Sequence, residues 1–250
     1  LLSHSEIKAT LPVTVREDPD VSVDIATETL EMKDDSLISA DTFGQADGAD
    51  ISIRVSDLAD ISQSKIWGGS IGLKAFGNGG TLSVEAKNMI LGNNARIGSE
   101  SKDGSSGSGG NVIINTSESL TLSDARIDTH TTGSGDAGNV TVRGDTVRLS
   151  ENGIIRAGTE GSGDAGKITL DVRVLQLQEN ASVQTVSRSE AGGGNAGEIV
   201  IHAEDSVRLS GKSSLTTDAK ETGGGQISVN AGNSLCLRNA GITSSVGQGE

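Results

Sequence analysis

Aromatic side chains are nearly missing from this chain of 250 residues: one Trp, two Phe and no Tyr. Aromatics usually supply much of a core's area, so a core here has to be assembled from Val, Ile, Leu and Ala. Cysteine occurs once, at Cys236, which excludes an intrachain disulfide and a thiolate metal cluster. No apolar run approaches the roughly 20 residues of a membrane span, so no membrane insertion is expected in this segment. Basic residues are scarce, 20 Lys and Arg against 34 Asp and Glu, for a net charge of −14. That field repels phosphate backbones and anionic lipid, which makes nucleic acid and membrane surfaces poor partners. Neither an initiator Met nor a signal peptide stands at Leu1.

Glycine is abundant instead, at 35 residues. It follows no G-X-Y period, which excludes collagen, and regularly spaced apolar pairs argue against disorder. The stretch from Gly133 to Ala157, GSGDAGNVTVRGDTVRLSENGIIRA, contains one full unit. A glycine-rich loop leads to Val140-Thr-Val142, then Val147-Arg-Leu149, then Ile154-Ile155, with short polar turns between. The first two alternate apolar and polar, as half-buried strands do. With the first apolar residue after each loop as the mark, the unit recurs at Val21, Ile51, Leu82, Val112, Val140, Ile168, Ile199 and Ile227. The spacings run from 28 to 31 residues, within the band of solenoids and propellers.

Each copy carries a second strand, such as Leu120-Thr-Leu122, Leu175-Gln-Leu177 or Val207-Arg-Leu209. The second copy departs, with Ala59-Asp-Ile61, and its second face is expected to pack less well. A third apolar mark follows at Leu37, Ile66, Ile97, Ile127, Ile155, Val183, Leu215 and Ile242. The chain then enters the long loop, as in Gly133-Ser-Gly-Asp-Ala-Gly138, where positive φ is the expected reason for glycine. Middle residues of the second strand, Thr121, Arg148, Gln176, Arg208 and Cys236, are expected to form an outward polar row.

No window shows a 3.6-residue period, and the aromatic or Trp-Asp marks of a propeller blade are missing. The fold class expected is all-β: a right-handed, single-stranded parallel β-helix of about eight coils of 28–31 residues, with three short strands per coil. At about 4.8 Å per coil, eight make a rod of roughly 38 Å. Residues 1–250 read as one β-helical domain. Residues 1–20 form the end of a preceding coil plus an atypical loop from Pro12 to Asp20 that carries both prolines, and residues 21–250 form eight coils. Leu2 to Ile7 matches Leu122 to Ile127 in spacing, and Gly247 to Glu250 stops inside a loop, so the chain reads as a piece of a longer array.

GDAGNVTV, GDAGKITL and GNAGEIVI, each followed by L-x-L-S-type strands, resemble the repeat body of large filamentous-haemagglutinin-like proteins, in particular cyanobacterial members. The resemblance covers Val21 to Gly249. It implies a right-handed parallel β-helix, export by two-partner secretion through an outer-membrane transporter, a secreted or cell-surface location, and a role in adhesion or aggregation. The family's secretion domain, with its Asn-Pro motifs, is not in this chain, and no family site residue matches a position here. The expected partners are cell-surface glycans or proteins, or other copies of the chain, bound through loops or flat faces without catalysis.

Parallel β-helices also host polysaccharide lyases and hydrolases, so a carbohydrate-active enzyme is the alternative. It needs carboxylates, alone or with Arg or Lys, clustered on neighbouring coils. Asp128, His130 and Arg156 are the best candidates, near equal positions of adjacent coils. The plainer expectation is that they are solvated outward side chains, since 34 acidic residues make chance neighbours common. Gly135-Asp136 and Gly163-Asp164 resemble glycine-aspartate calcium loops, but the nonapeptide period is absent, so turn chemistry is expected. His4, His130 and His202 show no paired ligand spacing, and Cys236 has no base nearby. Trp67, Phe43 and Phe76 are read as capping a void beneath the second coil, with an exposed sugar-stacking patch as the other reading. No catalytic, cofactor-binding or metal-ligating residue is assigned, and no cofactor is expected.

Overall fold

The computed structural model describes residues 2–3, 5–11, 21–42, 45–70, 77–102, 106–188, 193–220 and 223–247. Long and short strands alternate along the chain and join two separate parallel sheets. The first sheet stacks Ser22–Lys33, Asp50–Ser62, Leu82–Gly92, Val112–Ser123, Val140–Ser150, Ile168–Leu177 and Ile199–Ser210 in that order. The second stacks nine six-residue strands, from Glu6–Leu11 to Gly241–Val246. Every strand pairs with the one a full coil away, which is a parallel β-helix of about eight turns. No helix among the described residues is long and apolar enough to cross a membrane.

The marks lie over one another. Val140 pairs with Val112 on one side and Ile168 on the other, and Ile168 pairs with Ile199. These side chains are fully buried, as are Val142, Leu149, Ile155 and Val183. The core is therefore a continuous aliphatic column between the sheets. Two marks in the first coil shift. Ile51 pairs with Val23, not Val21, and Ile66 pairs with Ile38, not Leu37. Leu37 and Ile38 are adjacent and face opposite ways, and the frame that buries Ile38 wins; Val21, Val23 and Ile25 share one face, and there the pairing is offset by two residues. Leu2 sits opposite Met32 and Ile7 opposite Ile38, so the first described strands do belong to a preceding coil.

The first and second short strands of a coil run together as one long strand in most coils. Register shifts between Val55 and Leu58, Arg143 and Thr146, or Val172 and Val174 mark the bend between its two halves. In the last described coil the halves separate, as Ile227–Ala231 and Ser234–Arg238. The second coil packs better than expected. Ala59 and Ile61 are both fully buried, and Ala59 sits between Leu30 and the pliable Met89. Thr121, Arg148, Gln176, Arg208 and Cys236 form the outward row, each opposite the next, and Arg148 donates to Gln176 at 2.9 Å.

Glycine has a different cause from the one expected. Among the described residues only Gly211 is a glycine with positive φ. The other left-handed residues are polar, such as Asn93, Asn94, Asp124, Glu151 and Asn152, and they make the turn between the two sheets. The loop glycines are required by close approach. A Cβ on Gly166 would collide with the carbonyl oxygen of Gly138, and one on Gly138 with that of Gly110. The loops are then pinned from inside: Thr185 Oγ1 donates to the Gly197 carbonyl at 2.9 Å, and Ser101 Oγ to that of Gly107 at 2.8 Å.

Leu177 is 1% exposed. Leu177→Asp places a carboxylate in the dry column without a partner, and a loss above about 4 kcal/mol is expected. Thermal melts check this against Gln176→Asp on the outward side, expected to stay within about 0.5 kcal/mol of the parent.

Candidate functional site

The short sheet turns its odd strand positions outward, and three of its strands build one polar cluster there. In Arg96–Ser101, Arg126–Thr131 and Ile154–Thr159 the second residue, Ile97, Ile127 or Ile155, is buried in the core. Alternation then points the third residue away from the core. With the preceding strand, Lys65–Ser70, those third positions from coil to coil are Trp67, Gly98, Asp128 and Arg156.

Asp128 faces outward yet is fully buried, because arginines close over it. Arg96 Nη2 and Arg156 Nη2 each lie 3.3 Å from Asp128 Oδ2, and Arg126 Nη1 lies 4.0 Å away. Asp128 and Arg156 thus occupy equal positions of adjacent coils as expected, but the expectation of solvated side chains fails. An arginine stem spans more than one 4.8 Å coil spacing, so each neighbour bends over the shorter aspartate and shields it.

Arg96 is held from the opposite side by Trp67, whose ring centroid is 4.9 Å from its guanidinium carbon. Gly98 lies between Trp67 and Asp128 in register. A Cβ there would collide with the Asp128 carbonyl oxygen and come within 2.7 Å of Trp67 Cζ3 and 2.8 Å of Asp128 Oδ1, so glycine is required by the neighbouring backbone and also leaves room for the indole and the carboxylate. Trp67 is accordingly an outward support for Arg96 rather than a plug beneath the second coil. Phe43 and Phe76 lie outside the described residues.

Charge in the cluster is unbalanced, with three guanidiniums facing one carboxylate. Burial pushes the Arg126 guanidinium below its ordinary pKa; Asp128 opposes this, while Arg156 and Arg96 add to it. His130 follows Asp128 on the outward face, opposite Glu100 and Gly158. Its Nε2 is 3.8 Å from Glu160 Oε1. Burial, helped by Arg156, nevertheless lowers its pKa below the ordinary 6.5, against the pull of Glu160, Asp128 and Glu100. Asp128 Oδ1, Arg96 Nε, Arg156 Nε and His130 Nδ1 are buried without a hydrogen-bond partner. A cleft of about 210 Å³ opens beside the cluster, lined by Arg96 and Arg126 and walled further by Asn94, Asp124, Asn152 and Ile154.

The other candidates do not gather. Asp136 and Asp164 belong to the loop ladder: Asp136 Oδ1 accepts the backbone N–H of Asp164 at 2.8 Å, and Asp164 Oδ1 that of Asn195 at 2.6 Å. No group of three or more His, Cys, Asp or Glu suited to a metal ion occurs among the described residues. His202 is exposed on the long sheet, away from His130, and His4 lies outside the described residues. Cys236 is exposed, opposite Arg208. Arg96 and Arg126 escaped the sequence reading. The signal was present, since each directly precedes a third apolar mark, Ile97 or Ile127, thirty residues apart.

Two outcomes are expected. Asp128→Ala leaves three guanidiniums to repel one another, and a loss of about 3 kcal/mol should appear in denaturant melts. His130 binds its proton less readily folded than unfolded, so it contributes stability that is complete above the unfolded value near 6.5 and lost as pH falls below it. Melting temperatures followed from pH 7.5 downwards should therefore decline less in His130→Gln than in the parent.

Compared with known proteins, the chain matches no family model, no curated protein and no solved structure.

Proposed function

We propose that this chain is the rod-like part of a secreted or cell-surface bacterial adhesin of the filamentous-haemagglutinin type, and that it displays its faces and loops for adhesion or aggregation rather than for catalysis. The observation that supports this reading is the continuous coil-on-coil pairing of about eight coils. It holds outward side chains at the coil spacing along two sheets. Such a surface suits many weak contacts in parallel, whose summed avidity exceeds any one of them. The Gly-Asp-Ala-Gly and L-x-L-S patterns support the family assignment, and export through an outer-membrane transporter follows from the same resemblance.

The enzymatic alternative requires a carboxylate free to exchange a proton or attack. In the best-placed candidate, Asp128, one oxygen is shared by Arg96 and Arg156 and the whole side chain is covered, which favours the adhesive reading.

Beads coated with the 250-residue chain should be retained on bacterial or host-cell layers, with retention climbing steeply as coating density increases. Retention no better than that of uncoated beads overturns the adhesive role. Release of reducing ends from acidic polysaccharides by the purified chain overturns the non-catalytic one.

A further inference from the structure

We propose that the cleft between Arg96 and Arg126 binds the uronic-acid residue of an acidic polysaccharide, the sugar carboxylate between the two guanidiniums and its hydroxyls on the turn side chains around them. This deepens the adhesive reading, on which it rests for its purpose.

Charge is the first support. The chain's net −14 repels anions at long range, so an anion site needs a local excess of cations; elsewhere on the surface several cations pair with acids one coil away: Arg54 with Glu85, Lys87 with Glu118, Arg143 with Asp171, Lys167 with Glu198. Around Asp128 that balance breaks, and three arginines share a single carboxylate. Arg126 is the loosest of them, at 4.0 Å. Its side chain and that of Arg96 remain 38% and 37% exposed, and both residues line the cleft. A planar guanidinium fork matches a carboxylate. An anion seated there would also relieve the mutual repulsion that Arg126, Arg156 and Arg96 now experience.

The walls identify the rest of the ligand. Asn94, Asp124 and Asn152 are exposed residues in left-handed turns of three successive coils. Their side chains accept and donate as vicinal hydroxyls require, and stacked coils repeat them along the rod. Asp124 also limits charge: its carboxylate in the same wall disfavours a densely sulfated polymer, while one carboxylate per sugar is met by two arginines. The volume of about 210 Å³ falls below the roughly 300–1,000 Å³ of pockets that enclose a whole small molecule. It suits one sugar unit of a chain lying across the sheet. Arg96 is held in place from beneath by Trp67 at 4.9 Å, so its guanidinium needs little ordering on binding.

The test is calorimetric titration of the 250-residue chain with trigalacturonate, with its carboxyl-reduced neutral analogue, and with a sulfated trisaccharide of equal length. Trigalacturonate should bind and the neutral analogue should not. Arg126→Ala should weaken binding roughly tenfold or more, the loss expected for a charged hydrogen bond, and Asn152→Ala by a smaller factor. Arg148→Ala, on the other sheet, should change nothing. Asn152→Ala keeps all three arginines and so reports on the cleft even if Arg126→Ala disturbs folding. Absence of trigalacturonate binding, binding that both cleft variants leave intact, or equal binding of the sulfated trisaccharide overturns the proposal. Bead retention separates the two readings: if parent beads stick while trigalacturonate fails to bind, the cleft assignment falls and the adhesive role stands. If trigalacturonate binds as described but parent beads do not stick, the cleft assignment stands and the adhesive role falls.

Discussion

Coil-on-coil hydrogen bonding at a separation of about 4.8 Å is the constraint from which the other features of this molecule follow. Each residue lies almost directly over its equivalent one coil away, as Val140 does over Val112 and beneath Ile168. Every position is thereby a column, and a column tolerates only residues that can stack on their own neighbours. Branched aliphatics satisfy this inside, where Ile97, Ile127, Ile155 and Val183 follow one another with no exposure.

The loops obey the same rule with less room. At Gly138 and Gly166 the successive backbones come so near that a methyl group has nowhere to go. The hydrogen bonds of this glycine wall go partly to side chains. Asn111 Oδ1 accepts from the Asn139 N–H and Asn139 Oδ1 from the Lys167 N–H, at 2.9 and 2.8 Å, while Thr and Ser hydroxyls reach across from the short sheet. Small residues permit the contact and polar neighbours satisfy the amides it exposes, so the acidic and amide residues of these loops serve the backbone ladder first.

Sequence alone made the period, the core and the outward row legible, because apolar alternation reports directly on which side of a strand is dry. It misplaced Leu37 because the adjacent Leu37 and Ile38 offer an apolar residue to either face, and Val21 because Val21, Val23 and Ile25 alternate alike and leave a two-residue offset undetermined. It gave the wrong reason for glycine, since positive φ and lack of room leave the same residue behind; the positive φ belongs to Asp, Asn and Glu at the other turns. Burial of Asp128 was beyond reach for a third reason. Periodicity says that a side chain points outward, but says nothing about whether longer neighbours on adjacent coils will fold over it.

That last point bears on how a β-helix acquires a site at all. A fold made of repeats offers the same columns on every coil, and a site appears where a few coils break the pattern together. Here Trp67, Gly98, Asp128 and Arg156 occupy one outward column, and Arg96 and Arg126 lean into it from another. None of these residues is unusual alone, and each is explained by the one above or below it: the glycine by the indole and the carboxylate, the carboxylate by the guanidiniums, Arg96 by the indole. The arrangement leaves Asp128 Oδ1, Arg96 Nε and Arg156 Nε buried and unpaired, a cost that a ladder of salt bridges like Arg143 with Asp171 avoids. Stability by itself favours such one-to-one pairs over a three-to-one cluster. An imbalance retained at one place, where cations such as Arg143 and Lys167 are matched one to one with acids, is therefore a reason to look there for a ligand.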